Sequence, residues 1–143
     1  MTFLLDVNIL IALVDRAHIH SAVVQAWFAA EGAESFATCP LTENALLRIV
    51  GHPRYPASPG APAGVMPLLK SLRSRPGHQF WPDAISLADA AHVDPGRLVT
   101  AAQLTDTYLL ALAVSRGGRF ATLDRRLVHS AVPGGAAALR LVA

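Results

Sequence analysis

One cysteine and one lysine are all that this chain of 143 residues carries of either type. The lone Cys39 excludes an internal disulfide and a cysteine-cluster zinc site, and it reads as a buried strand residue. Lys70 stands against eleven arginines, so the cationic charge is guanidinium, a weakly hydrated group that binds phosphate in two places at once. Such an excess can equally reflect genome composition, and by itself it does not establish nucleic-acid binding. Charge of either sign is scarce at 15%, whereas apolar residues reach 52%. General disorder is thereby excluded, leaving a dense globular domain or a subunit that hides part of its surface against a partner. Long apolar runs are absent as well, because Asp6 and Asp15 interrupt the hydrophobic N-terminus before it reaches the ~18 residues that a membrane span requires. No basic segment precedes that stretch, so no signal peptide is expected and a cytoplasmic location is. A single domain over residues 1–143 fits the length.

What the chain does have is short apolar runs alternating with helical patterns. Thr2–Leu5 is of strand length and is closed by Asp6, with a helix over Val7–Val14 behind it. His20–Glu31 repeats Val23, Val24, Trp27 and Phe28 at helical spacing, and Gly32 stops it. Ser35–Cys39 reads as a second strand, followed by a helix from Pro40 to Gly51. Four prolines between Gly51 and Gly64 forbid regular structure there. A helix led by Pro62 or Pro67 follows, then a strand over His78–Trp81. Residues 82–103 are the least legible, with a helical piece expected at Leu87–Ala91 and a break at Asp94-Pro95-Gly96. Thr105 is expected to cap a helix that is apolar nearly all round, with Asp106 in its first turn, where amides and the helix dipole favour an anion. Arg119–Leu123 is a strand ended by Asp124, and Leu139–Val142 a last edge strand. This alternation predicts a three-layer α/β/α sandwich around a central, mostly parallel sheet.

In such sheets the working site lies beyond the carboxyl ends of the strands. Asp6 and Asp124 end strands, while Glu43 and Asp106 begin helices leaving the same edge, so four of only ten acids are expected on one rim. Two unit charges about 5 Å apart repel by roughly 3 kcal/mol at an effective dielectric near 20, so a positive group is needed to offset them. No lysine stands in these motifs, and Arg125 and Arg126 read as a solvated turn. All-oxygen ligands suit Mg²⁺, with Mn²⁺ as a substitute, and support attack of metal-activated water on a phosphodiester. His18 and His20 lack a third partner for zinc, Trp27 and Phe28 read by their spacing as core or partner interface, and Asp89 and Asp94 read as caps. Arg54 and Tyr55, in the proline-rich loop, are the RNA-binding candidates. A phosphoacceptor signalling domain shares such a rim but would want a lysine beside its last strands, which this chain lacks.

The segments Leu4-Leu5-Asp6-Val7-Asn8, Leu41-Thr42-Glu43-Asn44, Thr105-Asp106-Thr107-Tyr108-Leu109-Leu110-Ala111-Leu112-Ala113 and Ala121-Thr122-Leu123-Asp124 resemble, in order and spacing, the acidic motifs of PIN-domain ribonucleases, most closely the VapC toxins of VapBC toxin–antitoxin modules. Phe80-Trp81-Pro82-Asp83 and Val93-Asp94-Pro95 are similar to linking segments of actinobacterial members. The resemblance implies that Asp6, Glu43, Asp106 and Asp124 are metal-binding catalytic acids, supported by Asn8 and Thr122. It further implies a Mg²⁺-dependent endoribonuclease acting on structured RNA such as transfer or ribosomal RNA. A VapB-like antitoxin would silence it with a tail lying in the active-site groove, within a homodimer or a toxin–antitoxin hetero-oligomer; its apolar segment is expected to dock against the helices carrying Leu10, Leu13, Trp27 and Leu68, with a basic residue reaching the acids. The alternative is a PIN-like module that binds RNA or protein without turnover.

Overall fold

Five strands of three or four residues make one sheet in the computed structural model, which describes residues 1–143: β1 (Phe3–Leu5), β2 (Phe36–Thr38), β3 (His78–Phe80), β4 (Arg119–Thr122) and β5 (Leu139–Leu141). Their order is β3-β2-β1-β4-β5, and every neighbouring pair is parallel. Parallel neighbours need a crossover, and these are supplied by α1 (Val7–Val14), α2 (Ser21–Trp27), α3 (Pro40–Val50), α4 (Pro62–Arg73), α5 (Leu104–Ser115) and α6 (Gly135–Ala138). Strand side chains alternate between faces. Phe3, Leu5, Phe36 and Ala121 pack with residues of α1 to α4, whereas Leu4, Ala37 and Phe120 pack with those of α5 and α6 and with Trp81 and Val93. Both faces of the sheet are thus covered, as the near-continuous apolar strands require. No helix is long and apolar enough to cross a membrane.

Several local expectations are corrected. The helix expected over His20–Glu31 is α-helical only to Trp27, and Phe28–Gly32 continues as a π turn. Adjacent residues of an α-helix point about 100° apart; Trp27 and Phe28 are nevertheless both buried, and the wide turn begins between them. Pro62 leads α4, and Pro67 lies inside it. Leu87–Ala91 is a series of turns rather than a helical piece, because the Ser86 hydroxyl accepts the Ala88 N–H and the Asp89 carboxylate that of Ala91. Such local bonds compete with helix formation. Thr105 does not cap α5, which starts one residue earlier, after a 3₁₀ turn over Ala101–Gln103. Gln103 supplies the turn chemistry there, its side-chain oxygen accepting the N–H groups of Val99 and Thr100.

Candidate active site

From β3 the chain has stepped outward from β1 on one side, and β4 then resumes on the other side of β1. That reversal is a topological switch point, where the loops at the carboxyl edge part and leave a crevice. Asp6 and Asp124 follow the two strands that flank it.

Asp6 leaves β1 in an extended conformation and caps α1, one carboxylate oxygen accepting the Val7 N–H at 2.7 Å. The other oxygen accepts the Thr122 hydroxyl at 2.7 Å and lies 3.3 Å from the Asn8 amide nitrogen. Asn8 also donates to Thr122 Oγ1 at 3.1 Å, and its side-chain oxygen accepts the Leu123 N–H. Thr122 Oγ1 in turn accepts the Asp124 N–H at 3.1 Å. Asn8 and Thr122 therefore tie the end of β1 to the end of β4 and fix the Asp6 carboxylate between them. Asp124 turns the chain onward, accepting the Arg126 N–H, and the Arg125 and Arg126 side chains are exposed.

Asp6 is only 5% exposed. Burial pushes its carboxyl up from 3.8 to about 6, the Thr122 and Val7 hydrogen bonds resist, and the negative charges of Asp106 and Asp124 add to the rise. Asp106, in the first turn of α5, is likewise raised, first by burial and then by Asp124. Three carboxylates from three separate segments thus act on one another at the switch point. The α5 helix that carries Asp106 buries Leu109, Leu110, Ala111, Leu112 and Ala113 in a row, which anchors that acid from below.

Glu43 is placed differently. Its Oε2 accepts the Thr38 hydroxyl at 2.6 Å and pairs with Arg73 of α4 at 2.5 Å. The Thr38 hydroxyl spends its proton on Glu43, so the His78 Nε2 found 2.7 Å away is the donor in that second contact. Glu43 is held toward β3 and α4 by this network. Of the two RNA-binding candidates, Arg54 is exposed, whereas the Tyr55 hydroxyl donates to Asp15 at 2.5 Å and its ring packs against the core. Both lie past the far end of α3, about 16 Å of helix from the carboxyl edge.

A cavity of about 90 Å³ adjoins Asp6, lined by Thr42, Asn44, Arg48 and Thr105 among others. Sequence reasoning singled out Glu43 on this helix and passed over Asn44 and Arg48. The available signal was spacing, since Leu41, Asn44, Ala45 and Arg48 share one helical face, and that face turns toward Asp6.

A parallel α/β/α sandwich whose switch point gathers aspartates from β1, β4 and the start of α5 defines a PIN-like domain. The chain is 41% identical to ribonuclease VapC44 of Mycobacterium tuberculosis over 134 residues, 94% of each protein. It is 38% identical to ribonuclease VapC39 of that organism, covering 94% of this chain and 96% of the relative. Ribonuclease VapC29 is 39% identical over 90% of each. The chain belongs to the VapC ribonuclease family. The fold is also that of VapBC2 from Rickettsia felis, solved bound to a DNA fragment from its promoter, with a TM-score of 0.55 at 13% identity over 87% of this chain and 89% of that one. No family model matches the chain.

Proposed function

We propose that the protein is a divalent-metal-dependent endoribonuclease that hydrolyses phosphodiester bonds in structured RNA and serves in the cytoplasm as the toxin of a toxin–antitoxin pair. The observation that carries this reading is the mutual repulsion of Asp6, Asp106 and Asp124 around a carboxyl buried well enough to titrate near 6. An all-oxygen, negatively charged donor set of this kind suits Mg²⁺ or Mn²⁺. No three His, Cys, Asp or Glu side chains converge tightly enough to enclose an ion alone, so the cation would take one or two of these carboxylates and keep several of its waters. One or two of Asp6, Asp106 and Asp124 would bind it directly and the rest through its waters, and Glu43 joins them only on releasing Arg73. The bound cation supplies Lewis acidity toward a phosphate oxygen and lowers the pKa of water. Asn8 and Thr122 orient Asp6, and the buried row of α5 fixes Asp106.

The partner is a small antitoxin. The docking surface read from the sequence lies on α1, α2 and α4; Leu10, Leu13 and Trp27 face largely into the core, and the well exposed member of that set is Leu68, at 41%. A cleft of about 230 Å³ between α1, α2 and α4, lined by Leu13, Val14, Phe28, Leu68 and Leu72 with Arg16 and Arg75 at its rim, is the surface that accepts an apolar segment carrying acidic flanks.

Mapping the ends of cleaved RNA tests the reading. Water as nucleophile leaves 5′-phosphate and 3′-hydroxyl ends and needs the metal, whereas attack by the neighbouring 2′-hydroxyl leaves a cyclic phosphate. Cyclic ends, or cleavage that survives excess chelator, would overturn it; binding without turnover in Mn²⁺ would leave the non-catalytic module.

A further inference from the structure

Three hollows follow one another along α3, and Arg48 lines all of them. The first holds Asp6 with Asn44 and Arg48, the second Asn44, Arg48 and His52, and the third Arg48, His52, Arg54 and Tyr55. The second and third contain no carboxylate. Asn44 and Arg48 lie one turn apart on α3, about 6 Å at 1.5 Å per residue, and His52 follows in the turn beyond its end, so the three lead away from the acids.

The cations along this path are unspent. The ion pairs of the protein join Arg73 to Glu43, His92 to Asp89, Arg97 to Asp94 and Arg140 to Glu31, and Arg48 and Arg54 are in none of them. Both are exposed. The His52 Nδ1 accepts the Arg54 N–H at 3.0 Å, so the neutral ring carries its proton on Nε2 and offers a donor on its opposite side.

A surface with a metal-demanding acid cluster at one end and unpaired guanidinium groups along its length fits a polyanion cut at the first and held by the second. Resting on the ribonuclease reading, we propose that Arg48, continued by His52 and Arg54, is the track that grips the substrate RNA backbone next to the scissile bond. Arg48 is a positioning residue in this scheme. It binds a phosphate adjacent to the one that reacts, where the two-pronged guanidinium matches two phosphate oxygens, and so sets which linkage lies over Asp6.

The test is binding of a labelled RNA hairpin with a single-stranded loop in chelator across a range of salt, together with cleavage kinetics in Mg²⁺. Losing one charged contact, Arg48→Ala should bind about tenfold more weakly, and the slope of log affinity against log salt should fall by about 0.7. Arg48→Lys should keep that slope while recovering only part of the affinity. Arg119→Ala, which removes the same charge at the amino end of β4, should change neither. In cleavage, Arg48→Ala should raise KM and spread the cuts over neighbouring linkages, since it loses both the contact and the register. If wild type binds and cleaves RNA while Arg48→Ala matches it in affinity and slope, the track is wrong and the ribonuclease reading stands. If Arg48→Ala instead loses association with a second copy or an antitoxin and keeps RNA binding, Arg48 belongs to a protein interface and the track is likewise overturned. A wild-type protein that neither binds nor cleaves RNA removes both readings together.

Discussion

Replacing Asp6 with Asn separates an active-site acid from an ordinary helix cap by the sign of one measurement. The Asp6 carboxyl titrates near 6 in the folded protein against 3.8 as its ordinary value, a rise of about 2 units, and each unit is worth about 1.4 kcal/mol. Because the folded pKa is the higher one, the folded state holds this proton more tightly than the unfolded chain does. Its contribution to stability is therefore greatest below pH 3.8, falls as the pH rises through about 6, and is level above that. The loss amounts to about 3 kcal/mol in the metal-free protein. Other carboxylates titrate over the same range, Glu31 in the opposite sense through its pairing with Arg140, so the quantity to follow is the difference between wild type and Asp6→Asn. Urea denaturation in chelator at several pH values measures it. Asn is expected to equal or cost stability near pH 4 and to stabilise by up to about 3 kcal/mol at pH 7.5, with a melting temperature higher by several degrees in a chain of this size. Mg²⁺ or Mn²⁺ should then raise the melting temperature of wild type by mass action and do much less for the variant. A difference that stays flat between pH 4 and 6, with Asn destabilising by the ~1 kcal/mol of a lost cap throughout, would refute the reasoning.

Asp106→Asn should abolish RNA cleavage, with a loss of at least a hundredfold, while circular dichroism stays that of wild type; cleavage within tenfold of wild type would remove Asp106 from the chemistry. Thr122→Val deletes the hydroxyl that serves Asp6, Asn8 and the Asp124 N–H at once and should cost about 1–3 kcal/mol, together with most of the activity. A loss under ~0.5 kcal/mol in urea would show the network to be dispensable. Tyr55→Phe breaks the bond to Asp15 and should lower stability by about 1 kcal/mol while cleavage is unchanged. An activity loss without a stability loss would make Tyr55 an RNA contact. Gly77→Ala would drive a Cβ to 2.1 Å from the Ala33 carbonyl oxygen and 2.8 Å from that of Glu34, so the β2–β3 approach must shift at a cost of about 2 kcal/mol or more, read as a lower melting temperature.

Much of the architecture was legible because buried parallel strands and their helices leave strong patterns. Leu4-Leu5 running into Asp6, and Phe120-Ala121 running toward Asp124, mark both strands and their functional ends. Legibility failed where the decisive partner is remote or the choice is local and fine. The turns of 86–91 are set by single side-chain to backbone bonds that cannot be told from helix capping in a string of letters. The break at Trp27–Phe28 depends on both rings finding room in one core. Arg73 lies thirty residues beyond Glu43, and nothing near Glu43 announces that it will be turned toward β3. Arg48 escaped notice because its role is read from which side of α3 faces Asp6, and that needs the packed helix.

The hydrogen bonds that join Asp6 and Asn8 to Thr122 bridge 116 and 114 positions of the chain, and β1 finds its partner β4 across the same gap. Translation therefore supplies the two sides of the cleft 116 positions apart. A nascent chain stopped before Arg119 lacks β4, and with it Thr122 and Asp124, so its cleft has only one wall. Pairing over such separations is also slow to form. For a member of a ribonuclease toxin family this topology builds in a delay, because the walls that carry Asp6 and Asp124 meet only once β1 and β4 have paired.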